Sequence, residues 1–105
     1  MRRTLALEIT HGTEWAAIAA ARTMGRGTEA QSYHDAVRAM HVALGEARIR
    51  GRLLGIEEDA AGVDPDVGAD ALAEEQLDLL TIPLEGTASC ASGGPDALSL
   101  IAAAR

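Results

Sequence analysis

Two stretches of helical apolar periodicity, parted by a single glycine-rich break, dominate the first half of this chain. In residues 2–24, Leu5, Ile9, Ala16 and Ala20 fall on one stripe, and His11, Trp15, Ile18 and Arg22 on another. Gly12 is expected to weaken the middle of that helix. Gly25-Arg26-Gly27 supplies the break, with Gly25 placed to end the helix in a left-handed conformation. Thr28 then starts a second helix, and Gln31 three residues later makes a capping-box spacing. Tyr33, Val37, Met40 and Leu44 recur at i, i+4, i+7 and i+11, the pattern of a buried stripe. A short loop between two amphipathic helices implies an antiparallel pair.

The second half is less regular. Residues 47–56 carry Ile49, Leu53, Leu54 and Ile56 and suggest a strand. The acidic run Glu57-Glu58-Asp59 follows, then a Gly/Asp/Pro-rich loop over 62–68. Asp70 can cap a short helix over 71–79; alternatively residues 77–84 form a strand that Pro83 ends. Glu85-Gly86-Thr87 and Gly93-Gly94-Pro95-Asp96 read as turns. Residues 97–104 form a terminal apolar element, helix or strand. The fold class expected is a helix-dominated α+β single domain over 1–105, with short strands or helices after the helix pair.

Composition sharpens this. Of 105 residues 22 are Ala, Phe is absent, and Trp15 and Tyr33 are the only aromatics. Such a core buries little area per residue, and a chain this short buries a modest share of its surface. A homodimer is the natural completion, with an intertwined exchange of elements as one option. Nine Arg and no Lys against 16 Asp and Glu give a net charge of -7, which disfavours nucleic-acid binding. The single Cys90 cannot form an internal disulfide, and no apolar run is long enough to span a membrane. A reducing cytoplasm is the expected location. Cys90 has no basic neighbour in sequence to activate it.

Met1-Arg2-Arg3, Thr13-Glu14, Met24-Gly25-Arg26-Gly27, Asp35-Ala36-Val37-Arg38-Ala39-Met40, Pro83-Leu84-Glu85-Gly86-Thr87 and Gly94-Pro95-Asp96-Ala97-Leu98 occur in this order. The series resembles the N-terminal third of the class II fructose-1,6-bisphosphatases of the GlpX type. That resemblance implies a scaffold for metal-dependent phosphate-ester hydrolysis. Its carboxylate ligands come from an Asp of the second helix, an acidic loop, a DPIEGT-type motif and a later Glu. Here Tyr33 stands at the helix-two position and Ile82 at the first Asp of the DPIEGT-type motif, while Glu85, Gly86 and Thr87 are kept. The acidic loop has become Gly55-Ile56-Glu57-Glu58-Asp59, and the late Glu would lie beyond Arg105. A hard divalent ion needs several oxygen ligands in one shell. The expectation is therefore a truncated relative without phosphatase activity, metal or organic cofactor.

In size and character the chain is also similar to the lysinoalanine-forming proteins of cinnamycin- and duramycin-type lanthipeptide biosynthesis. That similarity implies a dehydrated lanthipeptide as partner, and addition of its Lys amine to dehydroalanine. The chemistry needs proximity and a base rather than a cofactor. The alternative is a catalytically dead, phosphatase-like interaction or regulatory protein. Candidate binding residues are Trp15, Arg22, Arg26, Tyr33, His34, Arg38, Asp64 and Asp66, with no residue assigned to catalysis. Arg22 and Arg26 can hold a carboxylate bidentately, or simply complement a helix C-terminus. His34, Arg38 and His41 recur along one helix face, which is equally a solvated polar face. His11, Trp15 and Arg22 share a stripe that can instead pack on the second helix, with Trp15 as the one large core residue. Tyr33 can offer its phenol to a peptide or fill the core. Asp64-Pro65-Asp66 can clamp an amide or amine, or form an Asp-capped turn.

Overall fold

The computed structural model describes residues 3–54 and 64–105. Helix α1 (Arg3–Ala21) and helix α2 (Glu29–Glu46) are followed by strand β1 (Arg50–Leu54), strand β2 (Asp66–Val67), strand β3 (Gln76–Glu85), helix α3 (Thr87–Ser92) and strand β4 (Leu98–Ala104). The acidic run Glu57-Glu58-Asp59 lies outside the described residues.

The helix pair forms where the periodicity places it. Leu5, Ile9, Ala16 and Ala20 are all buried. Gly12 completes their stripe: a Cβ there would lie 2.7 Å from Ile101 Cδ1 and 3.3 Å from Leu44 Cδ2. Gly12 thus makes room for Ile101 of β4 and Leu44 of α2, and the helix runs through it unbroken. Beyond Ala21 the chain turns, and Gly25 adopts φ +72° as its position in sequence predicts. The Gly25 amide donates to Cys90 O at 2.9 Å, tying this turn to α3.

Thr28 caps α2, its hydroxyl accepting from the Gln31 amide at 3.1 Å. The reciprocal half of the capping box is replaced, because Gln31 Nε2 donates to Asp35 Oδ1 at 2.8 Å. The buried stripe of α2 is Ser32, Ala36, Met40, Ala43 and Leu44. It is rotated by about one residue from the Tyr33–Val37 line, so Tyr33 and Val37 sit at its half-buried margin. Small side chains decide this: Ser32 and Ala36 let α1 approach more closely than Tyr33 and Val37 could. Ser32, fully buried, meets Thr23 Oγ1 at 2.8 Å. Thr23 Oγ1 donates in turn to Ala20 O at 3.1 Å, which leaves Ser32 as donor to Thr23. With Arg48 N donating to Glu8 Oε2 at the opposite end, the two helices run antiparallel.

The four strands form one mixed sheet in the order β2-β1-β3-β4. β1 and β3 are parallel, from Arg50 opposite Gln76 to Leu54 opposite Leu80. β2 and β4 flank them antiparallel. Residues 77–84 are strand, as one of the two readings has it, and 71–79 holds no helix; Leu72 there is 94% exposed. Pro83 does not end the strand. It lies buried within β3, where Ile82 pairs with Leu100 and Glu85 with Leu98, leaving one extra residue on β3. A proline inside a strand is tolerated at such a bulge, because no ladder donor is needed there. The Glu85-Gly86-Thr87 turn leads straight into α3, an element the sequence pattern does not announce.

Leu77 and Leu79 of β3, Leu53 of β1 and Ile101 and Ala103 of β4 face the helices and join Met40, Leu44 and Ile49 in the core. The other sheet face carries Leu54, Leu80, Ile82, Leu98 and Leu100, all exposed. The result is a two-layer α+β arrangement with the described helices on one face of the sheet.

Candidate functional site

The antiparallel contact of α1 and α2 leaves a furrow on the side away from the sheet. Its larger part is a groove of about 420 Å³ lined by Trp15, Ile18, Arg22, Asp35, Arg38 and Val42, with Ala19 and Ala39 at its floor. Trp15 is 52% exposed, Ile18 57% and Val42 52%, so three large apolar side chains face water together. Trp15 is therefore no core residue. The core under it is made of Ala16 and Ala20, too close-packed to admit an indole. Trp15 and Val42 also line a second hollow of about 310 Å³, together with Glu8, His11, Glu46 and Arg48. His11 Nδ1 lies 3.4 Å from Glu14 Oε2 on the exposed side of α1.

Three of the residues expected to bind a ligand thus meet in one place: Trp15, Arg22 and Arg38. Among the described residues neither guanidinium has an ion-pair or hydrogen-bond partner. Asp35 is held by Gln31. Arg26 is not part of the groove; its Nη2 donates to Arg22 O at 2.7 Å, satisfying a carbonyl at the end of α1. Tyr33 and His34 line a separate hollow of about 410 Å³ at the start of α2, with Thr28, Ala30 and Gln31. Tyr33 packs against the core from there. The His34–Arg38–His41 line is accordingly split, and His41 Nδ1 is shielded from solvent without a partner. Asp64 and Asp66 lie at β2, where Asp64 Oδ1 accepts from the Asp66 amide at 2.9 Å, an Asx turn. They line none of these hollows.

Asp35, Val42 and Glu46 were not singled out by sequence reasoning. They share an α2 face with Arg38, at positions 35, 38, 42 and 46, and that spacing is the signal that finds them. Cys90 is buried, and its thiol donates to Ala20 O at 3.5 Å, a structural role between α3 and α1.

With this geometry established, comparison with known proteins places the scaffold. Residues 3–105 match the profile of the family described as bacterial fructose-1,6-bisphosphatase, glpX-encoded. The chain belongs to the glpX-encoded fructose-1,6-bisphosphatase family. It is 32% identical to the D-fructose 1,6-bisphosphatase class 2/sedoheptulose 1,7-bisphosphatase of Synechococcus elongatus, over 97% of this chain and 34% of that protein. It is 31% identical to the fructose-1,6-bisphosphatase 1 class 2 of Escherichia coli, over 97% of this chain and 31% of that protein. The chain therefore spans about a third of the length of these glpX-family relatives.

The resemblance implies a divalent metal, and at the described positions it assigns to ligands the side chains do not fit one. Ile82, at a position the resemblance assigns to a carboxylate, lies on the outer sheet face, and its hydrocarbon side chain has no atom to ligate. Tyr33, at the second such position, packs on the core. Glu85 alone of that motif keeps a carboxylate, at the exposed end of β3. Among the described residues no three His, Cys, Asp or Glu side chains converge. No helix among the described residues is long and apolar enough to cross a membrane.

Proposed function

We propose that this member of the glpX family is a peptide-modifying enzyme of the reducing cytoplasm that forms lysinoalanine in a dehydrated lanthipeptide. What supports this reading is membership of the family with Tyr33 and Ile82 at positions the resemblance assigns to metal ligands, beside an exposed apolar groove flanked by arginines that have no partner among the described residues. The groove suits a flexible chain better than a sugar bisphosphate, because Trp15, Ile18 and Val42 offer it apolar contact. In the reaction the Lys Nε lone pair attacks the dehydroalanine Cβ, the Cα carbanion takes up a proton, and the amine loses one. The sum is an isomerisation that needs no oxidant, reductant or metal. The amine, with a pKa of ~10.4, must first lose a proton. A carboxylate or His of the peptide or of this chain takes it. Holding both groups together is the chief lever.

The test is a trapping experiment. A dehydrated core peptide bearing dehydroalanine and Lys is incubated with the protein, then exposed to a small thiol. A closed ring no longer accepts the thiol, so protein-dependent loss of thiol uptake is the expected result. Unchanged uptake overturns the cyclase and leaves the interaction-protein reading. A parallel arm with fructose 1,6-bisphosphate and magnesium or manganese is expected to release no phosphate; release would restore the ancestral activity.

A homodimer is part of the proposal, and the sheet supports it. Its β2 edge is two residues long and bears Asp66, but its β4 edge runs seven residues, Leu98–Ala104, without a charge or a proline. Unprotected edges of that kind invite pairing with another chain. The outer sheet face, three strands wide, measures on the order of 400 Å². That is about half of the ~800 Å² per partner in a standard interface. Antiparallel β4–β4 pairing with a second copy adds backbone contact and joins the two apolar faces into one.

A further inference from the structure

We infer that the furrow between α1 and α2 is a binding site for an extended peptide with an acidic residue at one end, a basic residue at the other and aliphatic residues between. Two hollows lie one after the other along the helix pair with Trp15 and Val42 in both linings, so one extended ligand laid across those two side chains reaches both. The furrow follows α1 from Glu8 to Arg22, which at 1.5 Å per residue is about 21 Å. An extended peptide of about six residues spans that length. Its middle is apolar, through Trp15, Ile18 and Val42.

Its ends differ in charge. At one end Arg22 and Arg38 have no partner among the described residues, and Asp35 beside them is already engaged at Oδ1 by Gln31. At the other end Glu8, whose Oε2 already accepts from the Arg48 amide, and the exposed Glu46 share the hollow with Arg48 and His11. A guanidinium with free N–H donors recognises a carboxylate through charge-assisted, often bidentate bonds. The chain's net charge of -7 does not oppose this, because charges beyond about 8 Å are screened at physiological ionic strength. The nearest acid on α1, Glu14, already sits against His11. A free phosphate or a sugar phosphate would use the arginines and leave the apolar middle wet. A purely apolar peptide would bury carbon and leave the arginines unanswered.

The inference deepens the peptide reading above and rests on it for the identity of the natural ligand. Its test reads binding alone, so its failure is distinguishable from failure of ring closure. Trp15 is the only tryptophan and half exposed, which makes its emission a direct reporter. The full chain is titrated with Ac-Asp-Leu-Ala-Leu-Ala-Lys-NH2, with the counterpart carrying Asn for Asp, with the counterpart carrying Gln for Lys, and with inorganic phosphate. The expected result is a saturable blue shift with the first peptide. The Asn counterpart should bind about 10-fold more weakly, and Arg22→Gln or Arg38→Gln should remove most of that difference. The Gln counterpart should lose a smaller factor, which Glu46→Gln then abolishes. Added salt should weaken the first peptide more than the Asn one. Equal binding of the Asp and Asn peptides, or a shift produced by phosphate alone, overturns the inference. No shift with any probe overturns it as well. All three substituted side chains are solvent-exposed or at the rim, so the variants are expected to fold.

Discussion

A methyl group on residue 12 would land 2.7 Å from the tip of Ile101, while the same methyl would improve a helix that now carries glycine at its centre. The two effects oppose each other. Replacing a mid-helix Gly by Ala gains up to about 1 kcal/mol of helix stability. Crowding a packed core costs about 1–3 kcal/mol. Gly12→Ala alone should therefore be neutral to mildly destabilising by denaturant titration. Ile101→Val removes the atom that is struck, so the double variant should be more stable than the two single effects predict, by about 1 kcal/mol or more. Additivity within error would show that Ile101 is not what Gly12 makes room for. The sequence alone marks Gly12 as a weak point of the helix. Its service to packing is invisible there, because the atom it accommodates comes from a strand at the other end of the chain. Tyr33 and Trp15 show the same limit. Periodicity assigned both to helices, but which flank lies inward depended on Ser32, Ala36, Ala16 and Ala20 being small enough to let two helices close on each other.

At the level of elements, β3 offers a sharp contrast between neighbours. Leu79 is fully buried against the helices, and Leu80 is 50% exposed on the other face. Leu79→Ala should cost about 2–5 kcal/mol of unfolding free energy. Leu80→Ala should cost well under 1 kcal/mol in a single chain, measured at a concentration where no association occurs. A comparable cost for both would mean that the outer face is covered within one chain. The helix pair, its break at Gly25 and the Thr28 cap were legible because they rest on local rules: period, turn chemistry and capping. β3 was legible only as one of two readings, since a short apolar run fits either period. β2 and α3 were not legible at all. β2 is two residues long and exists because Asp66 and Val67 find β1, and α3 is a single short stretch between two left-handed glycines, Gly86 and Gly93. The candidate groove was half legible: Trp15, Arg22 and Arg38 were named from α1 and α2 separately, and only the crossing of the helices brings them together with Val42.

For the molecule as a whole, helices cover one sheet face and the other carries exposed leucines beside an uncharged edge. If two copies meet there, sedimentation velocity should show a monomer–dimer equilibrium shifting toward dimer as concentration rises. Leu100→Lys, which places a charge on the outer face of the β4 edge, should return the protein to monomer without lowering the stability of the single chain by more than about 1 kcal/mol. A species whose mass does not change over a hundredfold dilution, in both proteins, would remove the edge-pairing proposal.

The seating of Ile101 over Gly12 has a bearing on how the chain comes into being. These partners are separated by about 90 residues, so the contact closes nearly the entire described chain into one loop. β1 likewise waits for β3 before its parallel ladder exists. At synthesis rates of 5–20 residues per second, a newborn α1 spends on the order of 10 s before β4 is made. During that interval the helix hairpin can form from local contacts, but its sheet-facing stripe of Leu5, Ile9, Met40 and Leu44 has nothing to rest on. The nascent hairpin is then exposed to capture by chaperones or by a neighbouring nascent copy, and contacts of such long sequence separation slow folding.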